Sequence, residues 1–91
     1  IKIEELFSGS LDYSLVDVRQ IVKKTLDHNA KSIIISHNHP SGSPDISPED
    51  RRITKKIKEA CSLFDIKLLD HILIAGTKYV SFSHLGILNL D

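Results

Sequence analysis

The sequence predicts an α/β fold, a sandwich in which helices flank a mixed β-sheet. Short apolar segments rich in β-branched residues recur along the chain, and longer segments between them repeat apolar residues at every third and fourth position. Such alternation of strands and helices is typical of α/β architecture. A length of 91 residues with 41% hydrophobic content suits one small core, so we expect residues 1–91 to form a single domain.

The first half of the chain is predicted to contain a strand, a helix and a second strand. Residues 1–7 ("IKIEELF") have the pattern of a strand, and residues 9–14 that of a loop. A helix is predicted from about Asp17 to His28, and its apolar face is formed by Leu15, Val18, Val22 and Leu26. The β-branched run at 31–38 ("KSIIISHN") is typical of a buried strand.

The second half is predicted to begin with a helix and continue with two strands. Ser47 is the expected N-cap of this helix and Pro48 its first residue. The predicted buried face of the helix consists of Ile53, Ile57, Ala60, Cys61 and Phe64. Residues 66–76 and 78–82 have the pattern of two strands joined by a tight turn, and a short helical turn is expected after Ser83.

Composition excludes several classes of function. Twelve Lys and Arg balance twelve Asp and Glu, so the positive charge expected of a nucleic-acid-binding domain is missing, and the basic run 51–58 ("RRITKKIK") is interpreted as a solvated helix face. The longest apolar runs are far shorter than the roughly 20 residues of a membrane span. The single cysteine, Cys61, is expected to fill the core; with no internal disulfide possible, a cytoplasmic location is predicted.

Two histidines and an acid have the spacing of a metal site. His37 and His39 lie two residues apart at a strand end, so both imidazoles project from the same face. Asp50, in the first turn of the next helix, can face back toward them. Three such ligands would leave a tetrahedral zinc ion one open position for water, whose pKa zinc lowers from about 16 to about 7. Ser47 is placed to hydrogen-bond that water or a developing oxyanion.

The same residues also have simpler interpretations. A histidine pair at a strand end can be two half-exposed polar side chains, and Ser47 and Asp50 would cap a helix without any metal. Asp70 and His71 are adjacent on one predicted strand, so they point to opposite faces and at most one can approach the site. That residue would either support a zinc-binding histidine or form part of a satisfied polar pair.

The spacing of these residues resembles a known motif. His37-x-His39, seven residues, Ser47, two residues and Asp50 are similar to the JAMM motif of MPN-plus metalloproteases, whose known activity is that of deubiquitinating isopeptidases. Further segments resemble, in the same order, the blocks of the bacterial RadC family, often labelled DNA repair proteins: "FSGSL", "VDVRQIV", "SHNHPSG", "SPEDRRIT", "LLDHILI" and "YVSF". The resemblance implies a JAB/MPN fold related to cytidine-deaminase-like sandwiches, zinc held by His37, His39 and Asp50, and a metallopeptidase class.

One catalytic residue of the resembling enzymes has no match in this chain. They use a glutamate on an early strand as the general base, upstream of the segment similar to "IEELFSGSL", so Glu4 and Glu5 do not match it by position. We therefore expect either a C-terminal portion of a longer protein that lacks the family's N-terminal strands, or a site to which another chain supplies the base. Such a chain would keep zinc, show little peptidase activity until the upstream segment is restored, and self-associate through an open sheet edge near residues 1–7.

Three classes of function follow from these observations. The first is a zinc-dependent hydrolase of amide or isopeptide bonds. The second is a zinc-binding interaction module without catalysis, and the third is a DNA-repair-associated protein, although the zero net charge argues against DNA binding by this domain alone. A zinc deaminase is disfavoured because the paired cysteines are absent and His39 stands where its glutamate would be.

Overall fold

The computed structural model describes residues 17–39 and 42–88, so the predicted strand at 1–7 and the loop at 9–14 lie outside the described residues. The described sheet has the order β1-β2-β3; β1 pairs with β2 in parallel, and β2 pairs with β3 antiparallel. This arrangement confirms the predicted α/β fold with a mixed sheet. The elements, in chain order, are α1 (Val18–Asp27), β1 (Ser32–Asn38), α2 (Pro48–Ser62), β2 (Lys67–Ala75) and β3 (Lys78–Ser81).

Helix α1 has nearly the predicted bounds, but its predicted apolar face was wrong for Leu26, which is 45% exposed; Val22 is buried, Val18 is partly buried, and Leu15 lies outside the described residues. Its N-cap is Asp17, whose carboxylate accepts a hydrogen bond of 2.9 Å from the backbone N–H of Arg19. The helix ends where Asn29 adopts a left-handed conformation with φ of 53°, which lets the Ala30 N–H donate to the Thr25 carbonyl at 3.0 Å. Asparagine tolerates this conformation better than most residues, which explains why the helix stops here.

Helix α2 presents most of its predicted face to the core. Ile53, Ile57 and Cys61 are almost completely buried. The prediction was wrong for Phe64, which is 52% exposed because the helix ends two residues earlier, and Ala60 is only partly buried. The helix connects the parallel strands β1 and β2, so its amino end lies near the carboxyl end of β1.

The two C-terminal strands form as predicted, whereas the first described strand is less buried than expected. β2 and β3 are joined by a tight turn in which Gly76 has a φ of +62°. In β1, Ile33 and Ile35 project toward the core and are partly buried, whereas Ile34 projects from the opposite face of the sheet and is 60% exposed. After Ser83 the chain forms hydrogen-bonded turns rather than the expected helical turn.

One apolar core lies between the helices and the sheet. It brings residues of both helices against the inward face of β2 and the segment after β3. Its buried members are Ile21, Val22, Ile53, Ile57, Cys61, Ile66, Leu68, Leu73, Phe82 and Leu88. Neither described helix has the length and apolar character needed to cross a membrane.

Candidate metal centre

The carboxyl end of β1 and the amino end of α2 bring the three predicted ligands together. His37 is the second-last residue of β1, His39 follows the strand, and Asp50 lies in the first turn of α2. The Nε2 atom of His37 is 3.8 Å from Asp50 Oδ1, and the Nε2 atom of His39 is 3.8 Å from Asp50 Oδ2. The Asp50 side chain has no exposed surface, so two imidazoles face one buried carboxylate.

Ser47 holds the Asp50 carboxylate in place through a reciprocal helix cap. The Ser47 backbone N–H and hydroxyl donate to Asp50 Oδ2 at 2.7 and 2.8 Å, and the Asp50 N–H donates to the Ser47 hydroxyl at 3.1 Å. This capping box, with Pro48 at the first helical position, confirms the predicted helix start. Because the hydroxyl carries only one proton, Ser47 in this arrangement orients the carboxylate rather than contacting a substrate.

His39 is oriented by a backbone carbonyl of the loop that follows it. Its Nδ1 atom lies 2.6 Å from the carbonyl oxygen of Ser43. A carbonyl oxygen can only accept a hydrogen bond, so Nδ1 must carry the ring proton of a neutral imidazole. The lone pair of the ring is then on Nε2, the atom that faces Asp50. This is the tautomer that a metal ion requires at Nε2.

His37 is supported from behind by a buried histidine of β2. Its Nδ1 atom lies 3.0 Å from His71 Nε2, and His71 Nδ1 lies 2.5 Å from the hydroxyl of Thr54. The His71 ring stacks on Phe82 with a centroid separation of 4.6 Å. Burial, together with the neighbouring His37, lowers the pKa of His71 to about 4 against the opposing effect of Asp50 and Asp70. Burial also lowers the pKa of His37, against the opposing effect of Asp50. Low pKa values keep both rings neutral at pH 7, as metal binding requires.

Comparison with known proteins agrees with this fold. A family model described as a RadC-like JAB domain matches residues 1–87. The chain belongs to this RadC-like JAB domain family. It is 47% identical over 88 residues to a UPF0758 protein of Coxiella burnetii, covering 97% of this chain and 39% of the relative. It is 48% identical over 86 residues to UPF0758 proteins of Aliivibrio salmonicida and Thiobacillus denitrificans, covering 94% of this chain and 38% of each relative.

These matches confirm the resemblance to the RadC family and the predicted JAB fold class. The chain spans about two fifths of the length of the curated relatives it matches. The names of those relatives state no activity and no metal. The chemistry of this RadC-like JAB domain must therefore be argued from its own residues.

Of the adjacent pair Asp70 and His71, only His71 reaches the proposed ligands of the RadC-like JAB domain. Asp70 instead accepts hydrogen bonds from the Ser81 hydroxyl at 2.5 Å, from the Ser83 N–H at 2.9 Å and from the His71 N–H at 2.7 Å. Partial burial raises the pKa of Asp70, but these hydrogen bonds outweigh that effect and leave it below its usual value. Asp70 thus ties β2 to the end of β3.

Sequence reasoning missed two residues that orient the histidines. Thr54 and Ser43 were not singled out, although each makes a short contact to an imidazole nitrogen. A signal existed for Thr54, because it lies four residues after Asp50 and therefore on the same face of α2. Ser43 contributes a backbone carbonyl, which no side-chain pattern can indicate.

The donor atoms of His37, His39 and Asp50 in this RadC-like JAB domain are of the types that bind zinc, although the histidine and carboxylate atoms are slightly too far apart. Two imidazole Nε2 atoms and one carboxylate are common zinc ligands. Across residues 17–39 and 42–88, no group of three or more His, Cys, Asp or Glu side chains is placed closely enough to hold a metal ion as it stands. The two His–Asp separations of 3.8 Å exceed the ~3.4 Å expected between neighbouring ligand atoms around tetrahedral zinc. Zinc binding would require these side chains to draw closer.

Proposed function

We propose that this RadC-like JAB domain binds one zinc ion through His37, His39 and Asp50 and is the metal-binding core of a hydrolase of peptide or isopeptide bonds. The observation that carries the proposal is the approach of two imidazole Nε2 atoms, each to 3.8 Å, to one fully buried carboxylate. JAB domains are generally associated with zinc, which supports the choice of metal. When bound, zinc supplies Lewis acidity toward a carbonyl group and a water molecule.

The residues around the site have separate parts in this proposal. Asp50 supplies the negative charge, which the amino end of α2 and the Ser47 donors stabilise. The side chains of His37 and His39 are 10% and 19% exposed, so a substrate can reach the rim of the site. Ser47 is proposed to hydrogen-bond the developing oxyanion: its hydroxyl can turn away from Asp50 while its backbone N–H keeps that contact.

A hydrolysis assay tests the proposed reaction. Zinc-loaded protein would be incubated with a panel of peptide- and isopeptide-linked substrates and compared with chelator-treated protein and two variants. We expect weak cleavage by residues 1–91 alone and stronger cleavage when the family's upstream segment, which bears the general base, is supplied. Cleavage should be lost on chelation and in His39→Ala, and kept in His84→Ala, which changes an exposed histidine outside the proposed ligand set. Zinc-bound protein that leaves every bond of the panel intact even with that segment supplied would contradict the hydrolase.

A non-catalytic zinc-binding module is the second candidate. One observation favours it: the Ser47 hydroxyl proton is engaged by Asp50 rather than directed outward. The expected general base, upstream of Glu4 and Glu5, has no counterpart in residues 17–39 and 42–88, and the two glutamates themselves lie outside the described residues. Full zinc occupancy without any cleavage would support this candidate.

The cellular location and the partners of the protein are also proposals. We propose the cytoplasm, because the only cysteine of the chain, Cys61, is buried on α2 and cannot form an internal disulfide. The peptide or isopeptide substrate, and self-association through a sheet edge near residues 1–7, remain predictions; that edge lies outside the described residues. DNA is not among the proposed partners.

A further inference from the structure

A chain of hydrogen bonds runs from the backbone of α2 to the ring of His37. The Thr54 hydroxyl lies 2.7 Å from the Asp50 carbonyl oxygen and 2.5 Å from His71 Nδ1, and His71 Nε2 lies 3.0 Å from His37 Nδ1. A hydroxyl has one proton, and a carbonyl oxygen has none to donate. The contact with the carbonyl is therefore satisfied only if Thr54 donates its proton there. Toward His71, Thr54 can then act only as an acceptor.

The direction of the hydrogen bond between Thr54 and His71 determines which ring nitrogen carries the proton in both His71 and His37. If Thr54 accepts from His71, the proton of the neutral His71 ring is on Nδ1, and Nε2 carries the lone pair. His71 Nε2 must then accept from His37, so the His37 proton is on Nδ1. We propose that Thr54 and His71 are positioning residues that fix His37 in the Nδ1–H tautomer and so present its Nε2 lone pair to Asp50. The effect of this tautomer on zinc binding rests on the proposed function.

A hydrogen bond donated by Thr54 to His71 would instead produce the other tautomer of His37. If Thr54 donated to His71, the His71 proton would move to Nε2 and His37 would be protonated on Nε2. An N–H group would then face Asp50, and a metal ion could not bind that nitrogen. This arrangement would also leave the lone pairs of two oxygen atoms facing each other at 2.7 Å, without a proton between them. The observed distances therefore favour the first direction.

The surroundings of His71 prevent its ring from turning away. The residue is 3% exposed, and the ring lies against Phe82 at an interplanar angle of 30°. Its backbone is also held, because the carbonyl of His71 accepts a hydrogen bond of 3.0 Å from the Phe82 N–H. A ring fixed in this way can transmit the constraint from Thr54 to His37. Residues of this kind behind a metal-binding histidine set its tautomer and its orientation.

The matched variants Thr54→Val and Thr54→Ser test the inference. Valine keeps the shape of threonine and removes the hydroxyl, whereas serine keeps the hydroxyl. Without an acceptor, the buried His71 Nδ1–H would be left unpaired, so the proton should move to Nε2, where it can be donated to His37 Nδ1. Nitrogen-15 NMR of the metal-free 10.2 kDa protein at about pH 8, where histidine is neutral, reads both tautomers directly.

We expect Nδ1–H at His37 and His71 in wild type and in Thr54→Ser, and Nε2–H at both residues in Thr54→Val. Zinc affinity should fall roughly 10- to 100-fold in Thr54→Val and by much less in Thr54→Ser. The inference is overturned if wild-type His37 is protonated on Nε2, a result that needs no variant to fold. It is also overturned if the valine variant keeps the wild-type tautomers, or reverses them without any change in zinc affinity.

Failure of the proposed zinc binding and failure of the positioning role give different results in this experiment. If the tautomers follow the prediction in all three proteins but none of them binds zinc, the hydrogen-bond chain is supported and the metal role of His37 is contradicted. If wild type binds zinc although its His37 tautomer is the opposite one before binding, the proposed function survives and the positioning role does not.

Discussion

At the level of single residues, local geometry brings the three proposed ligands together. His37 and His39 share a face because strand side chains alternate, and Asp50 faces back because it lies in the first turn of a capped helix. The contact between Thr54 and His71 depends instead on how α2 lies over β2, which no local pattern specifies. The proximity of His37, His39 and Asp50 could thus be predicted from the sequence, whereas the contacts of Thr54 and His71 could not.

Asp70 should contribute to stability in a pH-dependent way. Because its folded pKa is lowered, its contribution is fully present above the unfolded value of about 4 and is lost as pH falls through the folded value. Asp70→Asn disturbs three hydrogen bonds to a charged acceptor and should cost about 1.5–3 kcal/mol of unfolding free energy at pH 7.

Urea denaturation from pH 7 down to pH 2.5 would measure this difference, and we expect it to shrink below about pH 4. Asp45→Asn is the matched control: it removes an exposed carboxylate and should change the unfolding free energy by less than about 0.5 kcal/mol. Equal stability of wild type and Asp70→Asn at pH 7 would show that the Asp70 hydrogen bonds contribute nothing.

At the level of elements, helix ends define the geometry around the site. α2 begins at a capping box that holds Asp50, and it ends where Asp65 adopts a left-handed conformation with φ of 58°. There the Ile66 N–H donates to the Cys61 carbonyl at 3.0 Å. The start was predictable because Ser47 and Pro48 have strong positional preferences. The end was placed too late, because Phe64 continues the apolar spacing although the chain has already turned.

Substitutions at Asp65 should change stability according to their tolerance of a positive φ. Glycine adopts this conformation without steric cost, whereas alanine does not. We expect the unfolding free energies to rank Asp65→Gly above wild type and wild type above Asp65→Ala, with about 1 kcal/mol between the two variants. Thermal and urea denaturation would measure the order. A more stable alanine variant would be incompatible with the left-handed conformation.

At the level of the whole molecule, the solvent-exposed basic face could be predicted from the sequence, whereas the exposure of individual strand residues could not. The basic run on α2 is a solvated face as predicted, since Arg51, Arg52, Lys55 and Lys56 are all exposed. The mixed sheet followed from the alternation of patterns. The exposure of Ile34 was not predicted, because a continuous apolar run is typical of a strand covered on both faces, whereas in β1 only the side chains of one face pack against the core.

The zero net charge predicts weak binding to DNA. Most non-specific affinity comes from neutralising phosphates, and two cations of the basic face already contact acids of the same helix, Arg52 with Glu49 and Lys55 with Glu59. We expect a dissociation constant for duplex DNA above roughly 10⁻⁵ M at physiological salt. A fluorescence titration would measure it; tight binding that depends on sequence would contradict the assignment of this face to solvent.

The most direct test of the central claim is the zinc content of the protein after purification without added metal. Elemental analysis of wild type should give about one zinc per chain, with affinity falling in acid because protons compete with the metal for its ligands. The double variant His37→Ala, His39→Ala should lose the metal, and His84→Ala should retain it. A zinc content near zero in wild type, or one that is unchanged in the double variant, would contradict the assignment of His37, His39 and Asp50 as the metal site.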